Sequence, residues 1–211
     1  AALARKGSVM AKIDLAGKPI AITGASSGIG AVTALACAKA GMPVTLAARR
    51  TDKLETLKQR IEHEGGQAIV VPCDVSSQDD CNTVIARTIE SFGSIYSVFA
   101  NAGFGAKQDL LDTPEDTLRE MFEINFFGTI NTIRAAATPM ISAKSGHILI
   151  CTSCLSALPS AGYSVYSATK SAQHHIGRAL GVELDPGLEP PEQVGRDRQI
   201  AFLGQLVAFA A

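Results

Sequence analysis

The sequence predicts a single α/β domain: a doubly wound, Rossmann-like parallel sheet of three layers, with helices on both faces. Short apolar runs alternate with longer helical segments along most of the 211 residues, which is typical of parallel sheets. A glycine-rich turn joins the first predicted strand to the first helix. No linker rich in Pro, Ser or charge divides the chain. We therefore expect one domain over 17–211, preceded at 1–16 by an N-terminal extension or a cloning remnant.

Composition narrows the class of partner. Hydrophobic residues make up 46% of the chain and charged residues 18%, which is enough apolar material for a sizeable core. The formal net charge of -1 gives no electrostatic reason to expect nucleic acid or an anionic membrane surface as a partner. No apolar run reaches the ~18 residues of a membrane span, and the start has no secretory pattern. We therefore expect a cytoplasmic protein.

The five cysteines are scattered rather than arranged as a disulfide framework, which favours a reducing compartment. Cys151-Thr-Ser-Cys154 matches the spacing of redox and zinc motifs. No second pair or histidine cluster accompanies it, so buried structural thiols are the preferred interpretation and no metal is expected.

The first strand and the turn after it predict a phosphate site. The apolar run 18–23 leads into a turn with glycines at 24, 28 and 30, and a small-residue helix follows at 31–40. Glycines let the backbone approach a pyrophosphate, and the N-terminus of the helix favours its negative charge. A tight turn that merely connects two elements is the alternative. The expected contacts are Gly24, Ser26, Ser27, Gly28, Ile29 and Gly30.

The end of the second strand, 44–47, predicts the type of nicotinamide nucleotide. An acid that binds the ribose 2′-hydroxyl of NAD is expected about 20 residues past the glycines. The sequence has Ala48 there, followed by Arg49 and Arg50. Arginine binds a 2′-phosphate through charge-assisted hydrogen bonds, so NADP(H) is the expected cofactor. The alternative is a solvated pair of charges at the end of a strand.

The next two strands also end in candidate ligand residues. Thr51 is the expected N-cap of a helix that reaches His63, and a third strand follows at 68–72. Asp74-Val75 lies at the carboxyl end of this strand, where ligands of doubly wound sheets bind.

Ser76 and Asp79 resemble a capping box for a helix that ends near Phe92. The fourth strand, 96–100, leads into Asn101-Ala102-Gly103. This second glycine turn at the end of a strand again suggests that backbone lies close to a ligand.

One long helix is expected over 113–143, because Pro114 can occupy its first turn and apolar residues recur along one face. Asn125 is the polar exception on that face. It is either a satisfied core side chain or a residue of the site. The fifth strand is expected at 146–152, and Ser153 lies at its end.

Tyr166 and Lys170 are four residues apart in the last predicted helix, so their side chains share one face. A cation near a phenol favours the phenolate and would lower the pKa of Tyr166 from about 10 toward neutrality. Such a tyrosine can act as a general acid or base. The pair alone is a weak signal, because a spacing this short also arises by chance.

Together these residues resemble the single-domain short-chain dehydrogenase/reductase family. The resemblance runs from about residue 17 to residue 186. Its motifs are Thr23-Gly24-x-x-x-Gly28-x-Gly30, Asp74-Val75, Asn101-Ala102-Gly103, Asn125, Ser153 and Tyr166-x-x-x-Lys170. Their order and spacing agree with the family, which makes Asn125 an expected site residue.

The resemblance implies a catalytic role for four residues. Tyr166 would protonate a substrate carbonyl while NADPH delivers hydride to its carbon. Lys170 would lower the pKa of Tyr166 and bind the nicotinamide ribose. Ser153 would hydrogen-bond the same carbonyl oxygen, and Asn125 would hold a water that relays protons to Lys170.

The resemblance also implies the remaining cofactor contacts. Asp74, with Val75, would contact the adenine, and the turn Asn101-Ala102-Gly103 would line the cofactor cleft. The small-molecule partner would be a carbonyl or alcohol.

The chain departs from the family's pattern near its end. The family's sixth strand and substrate lid are expected to be missing after about residue 188, either because a segment is omitted from the sequence or because the protein lacks it. The apolar stretch 203–211 could form a last helix or strand.

Three functions remain open from the sequence. The first is an NADPH-dependent carbonyl reductase, which could serve a lipid or polyketide pathway. The second is a non-catalytic NADP-binding sensor or scaffold, and the third is a truncated, inactive family member. The complete set of four catalytic residues favours the first. By the same resemblance, a homodimer or homotetramer formed through the helix pair 113–143 and 164–184 is expected.

Overall fold

The computed structural model describes residues 14–184. This part of the chain contains five strands and six α-helices. The strands are β1 Ile20–Thr23, β2 Val44–Ala48, β3 Ala68–Pro72, β4 Ser97–Ala100 and β5 His147–Ile150. The helices are α1 Gly28–Lys39, α2 Thr51–His63, α3 Gln78–Phe92, α4 Glu115–Phe122, α5 Gly128–Ser142 and α6 Ser164–Leu184.

The five strands form one parallel sheet in the order β3-β2-β1-β4-β5. Strand β1 lies in the middle of the sheet; from it the chain winds outward to β3 and then returns to place β4 on the other side of β1. The direction of winding therefore reverses between β1 and β4, which opens a crevice at their carboxyl ends. The predicted doubly wound fold is confirmed.

Each face of the sheet packs against its own helices. Ile20 and Ile22 are buried on the side of α1 and α2, whereas Ala21 between them lies in the core on the opposite side. This alternation follows from the two-residue period of a strand. The second core takes its helical residues from α3, α5 and α6. Helices on both sides of the sheet give the three layers that the sequence predicts.

Two helix starts differ from the prediction. Thr51 is the first helical residue of α2, and the N-cap is Arg50, which makes no capping bond through its side chain. The capping pair of α3 lies one residue later than predicted: the Ser77 hydroxyl accepts from the backbone N–H of Asp80. The expected cap, Ser76, instead donates to Asp74 Oδ1 at 2.7 Å. Adjacent polar residues offer the same capping chemistry, and the tertiary path of the chain selects between them.

The long helix expected over 113–143 is interrupted. A five-residue π turn, Glu123–Phe127, separates α4 from α5. Asn125 lies within this turn and is fully buried. A π turn widens the helix by one residue and often marks a functional position.

Several predictions concern residues outside the described part of the chain. The first 13 residues of the extension expected at 1–16, the missing strand and lid after about residue 188, and the apolar stretch 203–211 all lie there. Within residues 14–184, no helix is long and apolar enough to cross a membrane. In the same range, no cluster of three or more His, Cys, Asp or Glu side chains is placed to hold a metal ion. All five cysteines are free thiols.

The hydroxyls of Thr88 on α3 and Thr45 on β2 lie 2.8 Å apart, and both residues are fully buried. Replacing Thr88 with Val leaves the Thr45 hydroxyl without this partner, so we expect a loss of about 1–3 kcal/mol in the free energy of unfolding. Replacing both with Val removes the unpaired group and is expected to recover most of that loss. Chemical denaturation measures both values. Thr56→Val, which removes an exposed bond to the Asp52 carbonyl, is the control and should have little effect.

Candidate active site

The glycine turn after β1 brings two backbone segments into contact. Gly24 has a φ of 68°, and a Cβ there would lie 2.8 Å from the Cα of Ala102. A Cβ on Gly30 would lie 2.5 Å from the Gly24 carbonyl oxygen. A side chain at Gly24 would therefore push apart the turns after β1 and β4, and one at Gly30 would push α1 away from the glycine turn. These two glycines are required for the close approach of the turns.

Asn101 ties the two turns together. Its amide donates to the Thr23 carbonyl at 3.0 Å and to the Gly24 carbonyl at 3.3 Å. Its backbone N–H donates to the Thr23 hydroxyl at 3.1 Å. Asn101 is therefore a support of the glycine turn as well as a residue on the wall of the cleft.

The N-terminus of α1 is suited to an anion. Its N-cap, Ser27, makes no capping bond through its side chain, and the first turn contains no acidic residue. The first N–H groups of a helix carry partial positive charge and have no partner within the helix. This end of α1 therefore fits a phosphate, as the sequence predicts.

The two arginines after β2 have different partners. The Arg50 guanidinium donates to Ser26 Oγ at 2.9 Å and to Ser27 Oγ at 2.7 Å. Arg49 lies 3.8 Å from the Asp74 carboxylate, and both side chains are well exposed. Hydrogen bonds from Ser76 hold the pKa of Asp74 below its ordinary value, with a smaller contribution from Arg49. Cationic groups therefore flank the glycine turn on the side of β2.

Ser153, Tyr166 and Lys170 meet at the end of β5. The Lys170 ammonium is almost fully buried and donates to the Cys151 carbonyl at 2.8 Å. It lies 5.7 Å from the centre of the Tyr166 ring. The Ser153 oxygen accepts from the N–H of Leu155 at 3.2 Å. Its hydroxyl keeps a proton that it can donate to a ligand in the cavity.

The pKa of Tyr166 differs from the prediction. Burial raises it above its ordinary value, and the nearby Ser153 hydroxyl opposes that rise only in part. Burial also lowers the pKa of Lys170. Desolvation disfavours both charged forms, and the ammonium is directed at the Cys151 carbonyl rather than at the phenol oxygen. Tyr166 is therefore a neutral phenol at neutral pH, with a proton to donate.

Asn125 contacts the backbone beyond β4 rather than the cleft itself. Its Oδ1 accepts from the N–H of Phe104 at 2.9 Å, and its Nδ2 donates to the Phe104 carbonyl at 2.8 Å. Nδ2 also donates to Thr169 Oγ1 at 3.1 Å. The side chain is therefore fully engaged in holding Phe104.

The segment that Asn125 holds lies against the reacting groups. A Cβ on Gly103 would be 2.9 Å from Asn125 Oδ1 and 3.6 Å from Lys170 Nζ. A Cβ on Gly105 would be 2.9 Å from the Tyr166 ring. Only a strip of backbone without side chains at 103 and 105 fits between these residues.

A cavity of about 930 Å³ connects these parts. Its volume is at the upper end of the range for small-molecule and cofactor sites. The predicted residues on its wall are Gly24, Ser26, Ser27, Gly28, Ile29, Arg49, Arg50, Asp74, Val75, Asn101, Ala102, Gly103, Ser153, Tyr166 and Lys170. The predicted residues that are not on the wall are Gly30, which packs behind Gly24, and Asn125, which lies behind Gly103.

Sequence reasoning missed part of the wall. The additional residues near Ser153 and Tyr166 include Phe104, Gly105, Glu120, Ile124, Leu155 and Tyr163. Gly105 could have been predicted from the sequence, because it is a second glycine two residues after Gly103. The others carry no sequence signal, since their packing at the cleft depends on the tertiary path of three separate segments.

A protein-family model described as "short chain dehydrogenase" matches residues 18–187. An uncharacterised oxidoreductase of Listeria monocytogenes is 39% identical over 166 residues, which cover 79% of this chain and 67% of the relative. An 11-beta-hydroxysteroid dehydrogenase A of Sesamum indicum is 37% identical over 83% of this chain, which spans 51% of that relative.

Solved structures have the same fold. A short-chain type dehydrogenase/reductase from Mycobacterium marinum is 35% identical, with a TM-score of 0.78 over 83% of this chain and 72% of the other. An alcohol dehydrogenase from Thermococcus sibiricus, complexed with 5-hydroxy-NADP, is 32% identical with a TM-score of 0.75 over 79% and 71%. A xylitol dehydrogenase bound to NAD⁺ is 26% identical with a TM-score of 0.78 over 81% and 66%.

Gly105→Ala is expected to displace the Tyr166 ring or the backbone strip beside it, because the added methyl would lie 2.9 Å from the ring. Since misplaced reacting groups are costly, we expect the turnover rate to fall by about 100-fold. Ser94→Ala, at an exposed loop position outside the cavity wall, is the control for a small substitution away from the site. Steady-state kinetics and thermal unfolding compare the variants. A Gly105→Ala protein with full activity would show that the strip tolerates a side chain.

Proposed function

The chain belongs to the short-chain dehydrogenase family, and on this premise we propose that it is an NADPH-dependent carbonyl reductase, or the corresponding secondary alcohol dehydrogenase in reverse. Membership of the family makes it an oxidoreductase that uses a nicotinamide nucleotide. One observation carries the finer proposal: Ser153 and Tyr166 lie together on the wall of the cavity, with the buried ammonium of Lys170 beside them.

The residues present fit a dinucleotide. The glycine turn leaves its backbone open to the cleft, and the N-terminus of α1 provides free N–H groups for a pyrophosphate. Gly24, Ser26 and Gly28 would hold the phosphates, while Asp74 and Val75 would contact the adenine. The cofactor, when bound, supplies the hydride, and the protein supplies orientation and protons.

Tyr166 and Ser153 would act on the same carbonyl oxygen. Negative charge develops on that oxygen during reduction, and two aligned donors stabilise it more than they stabilise the ground state. The raised pKa of Tyr166 keeps its proton in place at neutral pH, so it can act as the general acid. Ser153 would donate a hydrogen bond without losing its proton.

Lys170 would bind the nicotinamide ribose and replace the proton that Tyr166 gives up. Its ammonium has three donors, of which the Cys151 carbonyl engages one. Burial lowers its pKa, which makes proton transfer from this ammonium easier than from an exposed lysine. The family resemblance assigns Asn125 a water in the relay, but its side chain already bonds Phe104 and Thr169, so here it would act by holding the backbone beside Lys170.

NADPH is proposed over NADH because of the end of β2. Ala48 supplies no carboxylate to repel a 2′-phosphate, and Arg49 and Arg50 place two guanidinium groups beside the glycine turn. The structure of the Thermococcus relative with an NADP derivative is consistent with this preference, whereas the xylitol dehydrogenase binds NAD⁺. The preference therefore depends on the arginines of this chain.

We also propose a homodimer or homotetramer in the cytoplasm. Large apolar side chains are exposed on the two helices expected to form the interface: Phe127 beside α5 is 47% exposed, and Val182 on α6 is 57% exposed. Light scattering on the purified protein measures the mass of the assembly.

Tyr166→Phe removes only the phenol oxygen, so we expect turnover of simple ketones or quinones with NADPH to fall by at least about 1,000-fold, in line with the loss of a general acid. NADPH affinity, measured by fluorescence titration, should change little. Tyr96→Phe, at the opposite end of the sheet beside His147, is the matched control and should retain activity. Wild-type protein that binds NADPH but turns over no carbonyl would instead indicate a non-catalytic sensor.

Ala48→Asp combined with Arg49→Ala is expected to lower the NADPH-over-NADH ratio of kcat/KM by about 100-fold. The double variant adds a carboxylate at 48 and removes the cation at 49, where the 2′-phosphate would bind. Kinetics with both cofactors measure the ratio. Arg60→Ala removes an exposed arginine paired with Glu64 and is the control for loss of a surface charge. An unchanged ratio in the double variant would contradict the assignment of this end of β2.

A further inference from the structure

Gln173 is a fully buried polar side chain that the proposed chemistry does not use. It lies on α6, three residues after Lys170, and therefore on nearly the same face of the helix. Its Nε2 is 2.7 Å from the carbonyl oxygen of Asn125 and 2.6 Å from Thr129 Oγ1. Gln173 thus connects the helix of Tyr166 and Lys170 to the π turn that holds Asn125.

The orientation of the amide follows from its partners. A carbonyl oxygen can only accept, so the Gln173 group that faces Asn125 O must be the NH₂ group. The Thr129 hydroxyl donates to the same carbonyl oxygen at 2.8 Å and is therefore an acceptor for the second N–H of Gln173. The three groups form a closed set of hydrogen bonds around one backbone carbonyl.

Packing alone would not favour an amide at this position. Among the described residues, Gln173 Oε1 has no hydrogen-bond donor within reach. Burying an amide oxygen without a partner costs free energy that a methionine or leucine of similar size would avoid. The side chain therefore does something other than fill space.

The contacts of Asn125 indicate the role of the Gln173 side chain. The carbonyl that Gln173 holds belongs to the residue whose side chain holds both backbone groups of Phe104. The glycines on either side of Phe104 lie against Lys170 Nζ and the Tyr166 ring. A shift of the π turn would therefore move the strip that positions both groups.

We propose that Gln173 is a positioning residue for carbonyl reduction. By fixing the Asn125 carbonyl within the π turn, it sets the direction of the Asn125 amide and, through Phe104, the strip that packs on Tyr166 and Lys170. This role rests on the proposed function. Gln173 touches neither the cavity wall nor the reacting atoms.

Gln173→Met keeps the approximate shape and removes both donors. We expect kcat for NADPH-dependent ketone reduction to fall by about 10-fold, since small misplacements of reacting groups are costly. KM for the ketone and the Kd of NADPH should stay within about twofold, because neither ligand contacts Gln173. The apparent pKa in the pH profile of kcat should shift, since the surroundings of Tyr166 and Lys170 change.

Hydrogen exchange at the N–H of Phe104 tests the same link without any turnover. This N–H donates to Asn125 Oδ1, so Gln173→Met should reduce its protection from exchange. If the wild-type protein reduces no ketone with NADPH, the proposed function is wrong. If hydrogen exchange at the Phe104 N–H is unchanged in Gln173→Met, the link from Gln173 to the strip is wrong. The two failures are therefore distinguishable.

A second variant covers the case in which Gln173→Met does not fold. Thr129→Val removes one member of the hydrogen-bonded set and leaves Gln173 in place. Like Gln173→Met, it should lower kcat and reduce the protection of the Phe104 N–H from hydrogen exchange. Thr132→Val removes a similar buried hydroxyl, which bonds the Gly128 carbonyl at 2.8 Å, and is the matched control. If Gln173→Met and Thr129→Val lower only the melting temperature, as the control Thr132→Val is expected to do, Gln173 is a packing residue and the proposal is wrong.

Discussion

The side chain of Asn125 supplies the two hydrogen bonds that the backbone of Phe104 needs after the chain leaves β4. A backbone segment away from the sheet must satisfy its N–H and C=O groups elsewhere, and a carboxamide has one donor and one acceptor group in suitable places. This interaction fixes the strip from Gly103 to Gly105. Because glycines flank Phe104, the strip can lie directly against Lys170 and Tyr166. The packing of this strip on Lys170 and Tyr166 therefore depends on one buried amide.

Burial of the tyrosine and lysine pair has a second consequence. Removing both side chains from water disfavours their charged forms, which raises the pKa of Tyr166 and lowers that of Lys170. The result is a proton donor beside an ammonium that releases its proton more readily than usual. Under the proposed function, this arrangement suits the reduction of a carbonyl, in which Tyr166 would lose a proton and regain one.

The topology explains why residues far apart in sequence share one cavity. Every strand of the described sheet is parallel, so all five carboxyl ends lie on the same edge. Each end contributes to the cavity wall: Gly24 after β1, Arg49 after β2, Asp74 after β3, Asn101 after β4 and Ser153 after β5. Helix α6 then adds Tyr166 and Lys170 from one turn. The site is therefore a property of the edge of the sheet rather than of one loop.

The sequence by itself determined the fold class, the five strands and the residues at their ends. Apolar runs, glycine turns and helical spacing act over a few residues and can be read locally. The π turn at Asn125, the packing of Gly105 on Tyr166 and the contact of Gln173 with the Asn125 carbonyl were decided only by the tertiary structure. The direction of the Tyr166 pKa was decided there too. The helical spacing to Lys170 predicts a lowered pKa for Tyr166, whereas burial, which depends on segments distant in sequence, raises it.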